Sequence, residues 1–254
     1  MTLHDLSPWI NPNWHHAAER VRARTPYLLR FGIATMIITP SDAVRREAIA
    51  RFRIAPERVA AVPEAAASWF RPSAAPTHLR QPYFLFVGTL EPRKNVPLIL
   101  EAWRKLKESH DVSLVLAGRR RADFPELAAE PGLVILGEVP DRDLPGLYSG
   151  AVGVLYPSFY EGFGLPVLEA MQCGAAVIAS KDPAIAEVAS EGAVLEDATD
   201  GRAWFQTMQT FLEHPDEVQS IRERCLRRAG QFSWPNTARL TREVYEEAIR
   251  RFGR

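Results

Sequence analysis

A chain of 254 residues with 46% apolar side chains can bury one large core or two small ones, and the composition is that of an ordinary globular protein. No run approaches the roughly 18 apolar residues of a membrane span, and residues 1–30 lack the apolar stretch of a secretory signal. Spanning and secreted classes are therefore set aside and a cytoplasmic location is expected. Formal charge sums to zero, but residues 1–80 hold eleven basic against six acidic side chains and residues 81–254 twenty against twenty-five. That split suggests two units. The basic first part fits an anionic acceptor or a peripheral contact with the inner face of a membrane, a solvated arginine face being the plainer alternative. Cys173 and Cys225 have no metal-ligand spacing and read as reduced, packed thiols.

In chain order, Met1 to Pro8 reads as a short strand end with His4 at its tip. Asn13 to about Arg30 reads as a helix and Ala34 to Pro40 as a buried strand. Ser41 is placed to cap a helix running through Arg53, and Arg58 to Pro63 is a further strand. Residues 73–82 close a proline-rich, aperiodic stretch that marks a linker. The expected organisation is an N-terminal unit over 1–72, that linker, a second unit over 83–234, and a terminal helix over 235–254.

The second unit alternates short apolar strands with helices. Strands are expected at Tyr83 to Val87, Val112 to Ala117, Val134 to Leu136, Val152 to Tyr156, Ala175 to Ala179 and Ala193 to Leu195. Helices are expected at Val96 to Glu108, Phe124 to Ala129, Asp143 to Ser149, Leu165 to Cys173 and Ala184 to Ala189, then near Gly201 to Leu212, Asp216 to Gln231 and Pro235 to Arg251. Alternation of this kind predicts an α/β fold with a doubly wound parallel sheet and ligands at the carboxyl ends of its strands. Neither the Gly-x-Gly-x-x-Gly turn nor a Walker sequence occurs, which weakens a dehydrogenase or kinase reading.

Two stretches carry chemistry. Glu161-Gly-Phe-Gly-Leu-Pro-Val-Leu-Glu169 follows a strand, turns on glycines and opens a helix whose first-turn amides at Phe163, Gly164 and Leu165 suit a phosphate. Glu161 and Glu169 offer carboxylates to hydroxyls, the groups of which sugars are made. Gly88-Thr-Leu-Glu-Pro-Arg93-Lys94-Asn95 follows the first strand of the unit. There Asn95 can cap the next helix, and Arg93 and Lys94 bring two cations suited to a diphosphate, an ordinary surface pair being the commoner reading of such neighbours taken alone. Asp141 and Asp143 invite a divalent-metal reading, but they are read as acidic residues at the positive end of a helix. Arg119-Arg120-Arg121 reads mainly as a solvated loop.

Glu161 to Glu169, with Pro157-Ser158, Ala170-Met171 and Cys173-Gly174 around it, resembles the E-x7-E signature of the retaining GT-B glycosyltransferases of family four. Gly88 to Asn95 is similar to that family's Gly-x-Leu-x-x-x-Lys-Asn segment, and Thr2-Leu-His4-Asp-Leu to its Val-His-Asp-Leu segment. The resemblance implies two Rossmann-like domains and transfer of a hexosyl unit, with retention, from a nucleoside diphosphate sugar to the hydroxyl of a glycan or lipid-linked acceptor. It further implies no metal and no cofactor, and nucleic acid is not an expected partner. Glu161 is then expected to hold the sugar, Glu169 the ribose, and Arg93 and Lys94 the diphosphate beside Gly88. His4 is expected to stand across the cleft and Glu187 to be structural. Where many relatives carry arginine directly after the glycine this chain has Thr89, so Arg93 is expected to supply that charge. Ala65 replaces a glycine of the family's Pro-Glu-Gly. The wording of the Gly88 segment is most like that of mannosyl transferases, which makes GDP-mannose the first choice of donor. Against the family's length, the opening strands of the N-terminal domain are expected to be missing, so that 1–72 is a partial acceptor-side domain, and the helix over 235–254 resembles the family's segment that crosses back to it. An inactive sugar-nucleotide-binding module and a GT-B sugar-nucleotide epimerase stand as alternatives.

Overall fold

The computed structural model describes residues 1–15, 17–74, 79 and 82–252. Most of the linker expected over 73–82 lies outside them.

Near the N-terminus, α1 (Ser7–Ile10) leads to α2 (Glu19–Arg30). The single helix expected from Asn13 is shorter because Pro12 starts a separate 3₁₀ turn over Pro12–Trp14, capped by the Asn11 side chain. Strand β1 (Ile37–Thr39), helix α3 (Asp42–Phe52) and strand β2 (Val59–Ala61) follow. The two strands pair in parallel, and Thr2 bridges to Ile38 on the other side of β1. Ser41 caps α3 as expected, its hydroxyl accepting from Val44 N at 3.2 Å.

The larger sheet is built from β3 (Tyr83–Val87), β4 (Ser113–Ala117), β5 (Leu133–Gly137), β6 (Gly153–Tyr156), β7 (Val177–Ser180) and β8 (Val194–Glu196). They lie in the order β5-β4-β3-β6-β7-β8, with every pair parallel. Inner strands β3, β4, β6 and β7 are buried along their whole length, whereas the edges β5 and β8 are only partly so. This is why the inner strands read as unbroken apolar runs. The crossover helices are α4 (Val96–Leu106), α5 (Leu144–Gly150), α6 (Leu165–Gln172) and α7 (Pro183–Ala189). Helices α8 (Gly201–Glu213), α9 (Pro215–Ala229) and α10 (Trp234–Phe252) close the chain.

Two expectations fail locally. Phe124 to Ala129 is not a helix, because Pro125 and Pro131 bracket a segment too short to repay helix nucleation, and Pro131 pushes Glu130 toward extended backbone. Asn95 does not cap α4 through its side chain. It sits in the left-handed region at φ 51°, and its amide donates instead to Ala198 O at 2.7 Å.

Helix α10 packs Leu240, Val244 and Ala248 against Met36, Ile38, Ala60 and Val62 in and beside the small sheet. Cys173 and Cys225 are both free and buried. No helix among the described residues is long and apolar enough to cross a membrane.

Candidate functional site

Strand order reverses between β3 and β6. The crossovers from β3 run outward through β4 to β5, and those from β6 outward through β7 to β8, so a crevice opens at the carboxyl ends where the two halves part. The loop after β3 carries Gly88 to Asn95 and the loop after β6 carries Pro157 to Gly164. The two stretches singled out in the sequence, 65 or more residues apart along the chain, are thus brought to one place.

Their charged residues meet directly. Lys94 Nζ donates to Glu161 Oε1 at 2.6 Å, and Arg93 Nη1 lies 2.9 Å from the same oxygen. Lys94 also donates to the Tyr156 hydroxyl. Arg93 Nη1 donates to Tyr160 O at 2.7 Å, and Nη2 to Glu91 Oε1 at 2.7 Å. Burial opposes charge on Glu161, but Lys94 and Arg93 outweigh it and hold the carboxyl below its ordinary range. With two cations within 2.9 Å it is ionised. Burial opposes the Arg93 charge too, and Glu161 and Glu91 more than offset that, raising its pKa. Burial presses Lys94 below the ordinary lysine value despite Glu161. The cations expected to face a diphosphate are therefore already partnered by carboxylates, so an incoming anion competes for them rather than meeting bare charge.

Glu169 stands apart from that cluster, one turn into α6. Tyr148, fully buried on α5, donates to Glu169 Oε2 at 3.1 Å. Burial raises the Glu169 carboxyl to about 6, against the Tyr148 hydrogen bond, which lowers it. Gly164 enters α6 in the left-handed region at φ 99°; Val167 N and Leu168 N already donate to Gly164 O at 3.0 and 3.2 Å and Pro166 has no N–H, so in the first turn of α6 the Leu165 amide is the donor without an intrahelical acceptor. Gly88 lies beside the Lys94 stem: a Cβ there would sit 4.0 Å from Lys94 Cε.

The N-terminal unit grips the motif loop. A Cβ on Gly162 would lie 2.0 Å from His4 O, so only glycine admits the approach of the 4–5 backbone. The Ser41 hydroxyl donates to Gly162 O at 2.7 Å. The Tyr160 hydroxyl accepts from Leu6 N at 3.1 Å and donates to Glu47 Oε2 at 3.1 Å. Glu187 accepts from Asp42 N at 2.8 Å and Ala43 N at 3.0 Å, capping α3, which is the supporting role expected for it. His4 has its backbone at the Glu161 loop, while its imidazole is mostly exposed and pairs with Glu64 at 3.2 Å.

A cavity of about 450 Å³ lies between α3 (Ala43, Val44, Arg46, Glu47) and Tyr160, Glu161 and Asp182. Glu161 lines it; Arg93 and Lys94, turned onto Glu161, do not. A smaller one of about 190 Å³ sits at the ends of β3, β4 and β5, against Gly88, Gly118, Arg119, Glu138 and Val139. A Cβ on Gly118 would lie 2.0 Å from Gly88 O, so the two loops bordering this cavity touch through glycine. Arg121, read as part of a solvated loop, instead donates to Glu91 Oε2 at 2.7 Å. Asp143 stands at the start of α5 without a side-chain capping bond.

Glu91, Tyr148, Tyr156 and Asp182 were not singled out by sequence reasoning. Glu91 lay inside a quoted segment, but nothing in a row of letters says that its carboxylate reaches two arginines. Asp182 caps α7 by accepting from Ala184 N at 3.0 Å and Ile185 N at 3.1 Å, and burial lifts its pKa to about 6. The Asp-Pro at a helix start was the signal available for it.

The family profile described as glycosyl transferases group 1 matches residues 70–228. The chain is 34% identical to O-antigen chain mannosyltransferase B of Escherichia coli, over 96% of this chain and 69% of that protein. It is 30% identical to the MMP alpha-(1->4)-mannosyltransferase of Mycolicibacterium hassiacum, over 85% and 54%. Among solved structures, sucrose-phosphate synthase of Thermosynechococcus elongatus matches with a TM-score of 0.78 at 21% identity, over 98% of this chain and 67% of that one. Anabaena HepE in complex with UDP-glucose matches with a TM-score of 0.76 at 22% identity, over 97% and 70%. At such identities the structures speak for the fold alone.

Proposed function

The chain belongs to the glycosyl transferases of group 1, a glycosyltransferase family, and from that premise we propose that it moves a hexosyl unit from a nucleoside diphosphate sugar to a hydroxyl of a glycan acceptor. The observation that carries the reading is the meeting of Lys94 and Arg93 with Glu161 at the β3/β6 switch point. Cations for a diphosphate and a carboxylate for sugar hydroxyls share one crevice there.

In this reading the diphosphate draws Lys94 and Arg93 partly off Glu161, and the amides of Phe163, Gly164 and Leu165 at the start of α6 take a share of its charge. Glu161, relieved of one cation, turns an oxygen to the sugar hydroxyls. Glu169 accepts from the ribose. The base enters the small cavity at the ends of β3, β4 and β5, and the acceptor enters the larger one beside α3; the His4 imidazole, paired with Glu64, lines neither. Transfer with retention proceeds on one face: the bond from the anomeric carbon to the diphosphate oxygen breaks, the bond to the acceptor oxygen forms, and the acceptor's proton passes to the departing diphosphate. Side chains and a helix start offset the leaving charge, so the step is assigned without a metal ion.

A mannosyl donor with a guanine base is the proposal for the sugar, supported by the wording of the Gly88 segment and by the names of the relatives in Escherichia coli and Mycolicibacterium hassiacum. Titration calorimetry with GDP and UDP, followed by transfer assays with GDP-mannose in EDTA, tests it. The expected result is binding of GDP in preference to UDP and mannosyl transfer unaffected by chelation. Absence of any nucleoside diphosphate binding would remove the reading, and full inhibition by EDTA reversed by Mg²⁺ would return Asp141 and Asp143 to the site.

A further inference from the structure

Beyond the groups placed on the donor, we infer that Glu91 is a positioning residue: its carboxylate sets the Arg93 guanidinium against Glu161, and Arg121 locks that carboxylate from the far side. The inference rests on the functional reading above and adds to it a residue that neither the motif nor the comparisons assign.

Glu91 lies three residues beyond Gly88, in extended backbone at φ −145°, and is 7% exposed. Backbone bonds lace its loop to the loop after β4: Leu90 N donates to Arg119 O at 2.9 Å and Arg121 N to Leu90 O at 3.0 Å. That register fixes where Arg121 can reach. Each Glu91 oxygen then takes a different guanidinium, Oε1 from Arg93 Nη2 and Oε2 from Arg121 Nη1, both at 2.7 Å. The carboxylate cannot turn without releasing one of them. Arg121 is itself pinned by Asp123, at 2.5 Å from Nε and 2.7 Å from Nη2. Charges thus alternate from the exposed side inward through Asp123, Arg121, Glu91, Arg93 and Glu161.

The consequence for the site is geometric and electrostatic. Arg93 is gripped at Nη2 by Glu91, which leaves Nη1 to Tyr160 O and Glu161, so the guanidinium has a fixed anchor about which to shift when an anion competes with Glu161. Arg93 and Lys94 are adjacent buried cations sharing Glu161. Both already share Glu161 Oε1, and Glu91 supplies the second negative charge that one carboxylate cannot. A carboxamide keeps the shape of Glu91 but accepts at one end only.

The test is calorimetric titration of GDP and UDP into wild type, Glu91→Gln, Arg93→Ala and the double variant, with thermal melts alongside. Glu91→Gln should weaken nucleoside diphosphate binding about tenfold, and Glu91→Gln in the Arg93→Ala background should cost little more. A residue that merely held the fold would move the melting temperature and would give additive losses. Wild-type affinity in a folded Glu91→Gln, or full additivity in the double variant, overturns the inference while leaving the functional reading intact. Failure of wild type to bind any nucleoside diphosphate removes both. Should Glu91→Gln not fold, Arg121→Ala frees the carboxylate from the exposed side. It is expected to weaken binding about threefold, and unchanged binding overturns the inference by itself.

Discussion

Replacing Glu161 with glutamine removes the charge that both Arg93 and Lys94 share. The carboxylate is 8% exposed, so its partners cannot simply turn to water, and breaking a buried pair by deleting one partner costs about 3–5 kcal/mol. For a chain of this size roughly 2–4 °C accompanies each kcal/mol, so the melting temperature should fall by roughly 5–20 °C at pH 7. Lys94, already pressed down by burial, loses its main offset and sheds its proton more readily. The pH dependence follows from the direction of the Glu161 shift. Its folded pKa is depressed, so its stabilisation is present above the unfolded carboxyl value and is lost as pH falls through the folded one. The gap between wild type and variant should therefore be full at neutral pH and narrow progressively below about pH 4.5. Circular-dichroism melts from pH 7 downward measure it, with turnover of the sugar nucleotide followed in parallel and expected to be lost. A variant melting within a degree or two of wild type at pH 7, or a gap that does not narrow in acid, would refute the buried-pair account.

Other consequences are open to the same methods. Changing both Arg93 and Lys94 to alanine should weaken nucleoside diphosphate binding by about 1.5–3 kcal/mol for each charge-assisted bond lost, and equal affinity by calorimetry would put the phosphates elsewhere. Glu169, raised by burial from its ordinary value of 4.5 to about 6, holds its proton more tightly when folded. That contribution is present below the unfolded value and lost as pH rises through about 6. Glu169→Gln should thus raise stability at pH 7 by up to about 2 kcal/mol, while abolishing a rise of about tenfold in nucleotide affinity between pH 5 and 7; a wild-type affinity flat over that range would take Glu169 off the ribose. Gly162→Ala puts a Cβ 2.0 Å from His4 O, a backbone atom that cannot swing aside. The variant should lose stability and turnover together, and a wild-type melting curve would contradict the close approach.

The sequence by itself determined the parallel α/β class, because the inner strands of a sheet covered on both faces read as near-continuous apolar runs, and Tyr83 to Val87 and Leu114 to Ala117 do. It also determined the chemistry on offer, since two carboxylates, two cations and a glycine turn are legible as residue types. The tertiary structure alone decided how these groups meet. Strand order is set by which crossover packs on which face, and only the reversal between β3 and β6 brings Lys94 to Glu161. Local patterns also could not foresee that Arg93 and Lys94 would be neutralised by carboxylates, that Arg121 would turn inward to Glu91, or that Tyr148 would hold Glu169. The physical reason is range. Helix and strand periodicity is written within a few residues, whereas the hydrogen bonds that assemble this site join groups as far as 21 and 154 positions apart, and their energies depend on burial that exists only once the chain has folded.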